Sequence, residues 1–166
     1  MLRKCFFSFH HLPDAARAMA VRHTGSVEGS SPVQDRDWKA IVDAGDSAIR
    51  EWVAAQLVGK SCTVVLIGAA TANRKWINYE VIQSWHLGMG VVGLHVHGLQ
   101  NLSGITTKKG HNPFASITHA ALQAPLSSVV KCYDPPGNNS IERCAWIARN
   151  LGRVVDEAIA IRKANS

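Results

Sequence analysis

The run CTVVLIG at residues 62–68 holds a single polar side chain, Thr63. A strand with one face in water alternates apolar and polar residues, whereas a strand covered on both faces is apolar throughout. The chain must therefore lay cover on both sides of a sheet in which 62–68 is central. Parallel sheets are built that way, and their strands need crossover connections, usually helical.

The rest of the chain reads accordingly. KCFFSF (4–9), VVGLHVHGL (91–99) and SSVVKCY (127–133) are further strand candidates. Helices are predicted over 14–22, after Pro13 in a first turn, over 37–44, over 47–59 with Asp46 as its cap, within RKWINYEVIQSWHLG (74–88), and over 140–164. Gly88 and Gly90 end the fourth of these, and Asn139 with Glu142 imitates a capping box before the last. Residues 23–34 are rich in Gly and Ser, and 100–127 form a long irregular segment that includes GITTKKGHNPF. The expected fold is one α/β domain over 1–166, a flavodoxin-like three-layer sandwich around a parallel sheet of four to five strands. In such sheets the ligand crevice lies at the carboxyl ends of the strands. Phe9, His10 and His11 then fall near the start of helix 74–88.

Composition narrows the class. Hydrophobic residues make up 46% and charged residues 18%, which excludes a disordered chain. No apolar run reaches the roughly 18 residues of a membrane span, and CFFSF is too short for a signal-peptide core, so a cytoplasmic protein is expected. Cys5, Cys62, Cys132 and Cys144 form no C-x-x-C pair; His95 and His97 share a strand face without a third ligand at useful spacing, and no metal site is expected. The net charge of +6 favours phosphate-bearing partners without choosing between polymer and small molecule. It is scattered, with short pairs at Arg74-Lys75 and Lys108-Lys109 and no stripe or cluster, so nucleic acid is not the expected partner. No G-x-x-x-x-G-K-[ST] or G-x-G-x-x-G motif is present, and Ser61 and Ser84 have no base arranged for a hydrolase triad.

One carboxylate stands out. No Asp or Glu occurs between Glu80 and Asp134. On a helix Trp76, Glu80 and Ser84 form one row, beside the core-facing row Ile77, Val81 and Trp85. Glu80 then sits at the edge of a buried face next to an indole. It is either a solvated glutamate packed on Trp76 or a carboxylate aimed into a cleft.

The residues KCFFSF followed by Asp14 resemble the first sequence box of TIR domains, and Trp76-Ile-Asn-Tyr-Glu80 resembles the W-x-x-x-E helix motif of NAD-cleaving TIR domains. SCTVVLIGAATANRKWINYEVIQS, with GITTKKGHNPF, is similar to the TIR-like family that includes the ThsB sensor of the Thoeris anti-phage system. The likeness runs over about 4–135. It implies a TIR-like fold and an NAD+ nucleosidase or ADP-ribosyl cyclase that takes NAD+ as substrate, with no separate cofactor. The product would be a cyclic ADP-ribose-type signal reaching an effector protein. Glu80 would be catalytic, with Phe9, His10, Asp14, Trp38, Trp76 and Ser84 around the substrate. A homo-oligomer is allowed, and no membrane is implied. Two departures are visible: Lys4-Cys5 stands where classical TIR domains often carry Asp, and 22–37 does not match their assembly loop. The alternative is a non-catalytic TIR-like interaction module.

Overall fold

A computed structural model of the chain describes residues 2–31 and 33–166; Met1 and Pro32, the latter within the 23–34 loop, lie outside them. The elements follow in the order β1 (Lys4–Phe9), α1 (His11–His23), β2 (Glu28–Gly29), α2 (Asp35–Asp43), α3 (Asp46–Leu57), β3 (Cys62–Ile67), α4 (Lys75–His86) and β4 (Gly90–His95). After them come β5 (Thr118–His119), β6 (Ala124–Pro125), β7 (Cys132–Tyr133) and α5 (Ser140–Ala164).

Five strands form one sheet in the order β2-β1-β3-β4-β7, and every pairing is parallel. All six residues of β3 are buried, as its almost wholly apolar run requires. One face of the sheet packs Cys5, Phe7, Val64 and Leu66 against Ala18 and Val21 of α1 and Ile147, Leu151 and Val155 of α5. The other face packs Val65, Ile67 and Val91 against Ile77, Val81 and Trp85 of α4, and Phe6 against Ile49, Val53 and Leu57 of α3. Helix, sheet and helix thus make the flavodoxin-like three-layer sandwich. α2 lies outermost, with none of its residues buried.

Several boundaries differ from the sequence reading. α1 begins at His11 rather than 14, because the backbone bond from Asp14 N to His10 O already closes a turn at 3.1 Å. Gly45, with φ +100°, takes the N-cap of α3, and Asp46 instead pairs with Lys75 at 2.8 Å. The strand read at 91–99 stops at His95, since Leu99 N turns back to Val96 O. The strand read at 127–133 shrinks to two residues: Leu126 and Val130 are buried on the α4 side, and a short 3-10 turn spans Leu126–Ser128. The loop at 23–34 contains the edge strand β2, too short to show a period. The cap before α5 is as read, with Asn139 Oδ1 accepting from Glu142 N at 2.9 Å.

Candidate active site

Strand order reverses between β1 and β3, whose following helices lie on opposite faces of the sheet. In open parallel sheets the crevice forms at such a switch point. A cavity of about 530 Å³ opens there, within the range of small-molecule sites. The carboxyl end of β1 contributes Phe9 and His10 to it, α1 His11, α2 Trp38, α3 Trp52, and α4 with its preceding turn Arg74, Trp76 and Glu80.

Its wall is aromatic. His11 stacks on Phe9, centroids 5.8 Å apart, and on Trp38 at 5.7 Å; Trp38 meets Trp52 edge-on at 5.4 Å. Such a wall suits a flat heteroaromatic ring. The α4 end of the cavity is basic. Arg74 and Lys75 line it beside the first turn of α4, where free backbone N–H groups favour anions. Arg74 is fixed by its Nε donating to Ala70 O at 2.8 Å, and Lys75 Nζ lies 4.8 Å above the Trp76 ring. The turn entering α4 is held by Gly68 N donating to Thr71 Oγ1 at 2.8 Å and passes through Asn73 in the left-handed region, φ 66°.

Glu80 lies deeper than its helical row suggests, at 6% exposure. The hydroxyl of Ser8 donates to Glu80 Oε2. Burial pushes the carboxyl up to about 8, and the Ser8 hydrogen bond offsets only part of that rise. His10 is pushed below its ordinary value by burial and then by the Arg74 charge, so it is neutral near pH 7. The cavity therefore holds a carboxyl raised by burial and hydrogen-bonded to Ser8, with no cation paired to it among the described residues.

Of the residues singled out from sequence, Phe9, His10, Trp38, Trp76 and Glu80 line this one cavity. Asp14 and Ser84 do not. Asp14 is buried against Arg17 at 3.0 Å; burial raises its carboxyl, and Arg17 offsets part of that rise. Arg17 is only 2% exposed and donates to Leu99 O, Ile105 O and Pro13 O, so it is a scaffold for the loop after β4. Ser84 donates to Glu80 O at 2.7 Å and bonds Thr63 Oγ1 at 2.6 Å, beneath the site. His95 and His97 sit away from the cavity, ring centroids 5.8 Å apart, and burial lowers both; His95 falls to about 4. The sequence reading missed Ser8, Trp52 and Arg74 as parts of the site. For Ser8 the signal was present: a lone hydroxyl in a buried aromatic strand must find a partner.

A five-stranded parallel sheet with an aromatic cavity at its switch point and a buried glutamate on the helix after its central strand defines a TIR-like α/β protein. The model of the family described as Thoeris protein ThsB, TIR-like domain, matches residues 6–101, and the chain belongs to that family. It is also 32% identical over 119 residues to a Bacillus cereus (strain MSX-D12) protein named "Putative cyclic ADP-D-ribose synthase ThsB1", a match covering 69% of this chain and 62% of that protein. The chain thus spans less than two thirds of the relative's length.

Proposed function

We propose that this protein cleaves the nicotinamide–ribose bond of NAD+ and closes the remainder into a cyclic ADP-ribose-type messenger in Thoeris-type anti-phage defence. The observation that carries the reading is Glu80, a buried carboxyl with no cation partner among the described residues, in an aromatic cavity at the switch point. The family and the printed name of the relative support it.

The chemistry needs little from the protein beyond placement and charge. When the bond from ribose C1′ to the ring nitrogen breaks, its electron pair goes to nicotinamide, which leaves neutral without a general acid. Positive charge then spreads over C1′ and the ring oxygen. A carboxylate beside that centre stabilises it and accepts hydrogen bonds from the ribose hydroxyls. A cationic nicotinamide ring entering the cavity favours ionised Glu80, and the carboxyl proton passes to solvent. The Phe9–His11–Trp38 wall offers stacking to a base, and Arg74 offers charge to the pyrophosphate, while Lys75 is paired with Asp46. If an adenine nitrogen or a hydroxyl of the same molecule attacks C1′ and loses its proton, the product is cyclic; if water attacks, it is ADP-ribose. A closed apolar wall favours the first outcome by excluding water. The product would reach its effector protein by diffusion.

The test is nicotinamide release from NAD+ by purified protein beside Glu80→Gln, with products resolved by mass spectrometry, in buffer and in phage-infected lysate. Release that depends on Glu80, with a product one water lighter than ADP-ribose, is expected. A folded Glu80→Gln protein with undiminished release overturns the role of Glu80. No release in either medium leaves the non-catalytic interaction module.

A further inference from the structure

We propose that Ser8 is a positioning residue for Glu80: its hydroxyl holds Oε2 and so presents Oε1 to the cavity. This rests on the reading of Glu80 as the reacting carboxylate.

Ser8 is the one hydroxyl in β1, is 1% exposed, and stands between Phe7 and Phe9. A hydroxyl placed there costs stability unless it is hydrogen-bonded, and its partner is the Glu80 carboxyl. Oε1 has no hydrogen-bond partner among the described residues, while Glu80 lines the cavity. The other end of the residue is pinned as well. Ser84 Oγ donates to Glu80 O, and the same hydroxyl bonds Thr63 Oγ1 on β3. Glu80 is therefore tied to β3 through its backbone and to β1 through its carboxyl. A glutamate has three rotatable side-chain bonds, so losing the β1 tie frees the carboxyl to swing away from the reacting carbon. It also removes the one hydrogen bond that favours the charged form, and burial then acts unopposed.

The experiment compares wild type, Ser8→Ala and Ser8→Thr by nicotinamide release across pH 5–10, and by carbon-13 NMR titration of the Glu80 carboxyl without substrate. Folding is checked by thermal melting. Ser8→Ala is expected to lower kcat about tenfold or more with KM within about twofold, as befits losing a hydrogen bond to a charged group. The Glu80 titration and the activity inflection should both move to higher pH. Ser8→Thr, which keeps the hydroxyl, should keep the wild-type titration. An unchanged kcat with an unshifted titration in Ser8→Ala overturns the proposal. If wild type releases no nicotinamide in buffer or in phage-infected lysate, the NAD+ reading falls, and the carboxyl titration alone then decides whether Ser8 holds Glu80.

Discussion

The imidazole of His11 stacks on the indole of Trp38, with ring planes 30° from parallel. Its Nε2 also stands 2.9 Å from Asp35 Oδ1. Both contacts join α1 to α2, the outermost helix and one with no buried residue. Trp38 is half-buried against Trp52 and supplies much of the cavity's aromatic wall. Trp38→Ala should therefore weaken substrate binding more than it weakens the fold. An aromatic–base stack is worth about 1–3 kcal/mol, so KM for NAD+ should rise about tenfold or more. The melting temperature should fall by only a few degrees, as expected for a loss of about 1 kcal/mol in a chain of this size. A Trp38→Ala protein with wild-type KM would remove Trp38 from the site.

The rate should follow the ionisation of Glu80. Burial pushes its carboxyl up to about 8, and in the proposed mechanism the charged form is the one that reacts. kcat/KM reports the free enzyme, so it should rise with pH and level off above about 8. kcat reports the complex, where the cationic nicotinamide ring favours the carboxylate, so its inflection should lie lower. Coincident inflections would mean that substrate does not sit against Glu80.

Stability should follow the same group in the opposite direction. A carboxyl whose folded value is raised binds its proton more tightly in the native state than in the unfolded chain. Its contribution is full below about 4.5 and is lost as pH rises to about 8. Each pH unit of that window is worth about 1.4 kcal/mol, giving up to roughly 5 kcal/mol in all. Glu80→Gln lacks this loss. It should match wild type in chemical denaturation near pH 4.5 and be the more stable protein at pH 8. Parallel stability curves for the two proteins would show that Glu80 is not held neutral by burial.

The central strand, the helix after it and the carboxyl-end crevice were legible because each rests on a local pattern. CTVVLIG has Thr63 as its single polar side chain, and Ile77, Val81 and Trp85 keep helical spacing. The depth of Glu80 was not legible, because its cover comes from β1, 72 positions away through Ser8. The pairing of Asp14 with Arg17 was open to view at i,i+3, yet its burial was not, since Leu99 and Ile105 close over it from the distant loop. The 127–133 segment misled because β-branched residues suit a packed turn as well as a strand once Val130 is buried.

The loop after β4 makes a close approach to the end of β3 at Gly110. A Cβ added at Gly110 would stand 2.0 Å from Gly68 O, a backbone atom that cannot swing aside. Gly110→Ala should force the loop off the carboxyl end of β3 at a cost of about 1–3 kcal/mol, read as a lowered melting temperature. Gly104, at φ +74° with open space around it, gives a contrast. Gly104→Ala meets strain but no clash, so it should cost less than Gly110→Ala, and the reverse order would contradict the packing described.

Arg17 is buried and ties α1 to the loop after β4. Its guanidinium satisfies Leu99 O at 2.8 Å, Ile105 O at 2.8 Å, Pro13 O at 3.0 Å and Asp14 Oδ1 at 3.0 Å. Arg17→Met keeps the apolar stem but takes the donor from Asp14 and from Leu99 O, while Ile105 O keeps its bond from Asn101 N. Removing one partner of a buried ion pair costs about 3–5 kcal/mol, so the melting temperature should fall by about 10 °C or more. The stranded Asp14 would have to take up a proton, because burial already raises it and the opposing charge is gone. The Arg17→Met deficit should therefore shrink as pH falls through the carboxylate range. A deficit that stays constant with pH would mean that the lost carbonyl bonds, and not the uncompensated carboxylate, carry the cost.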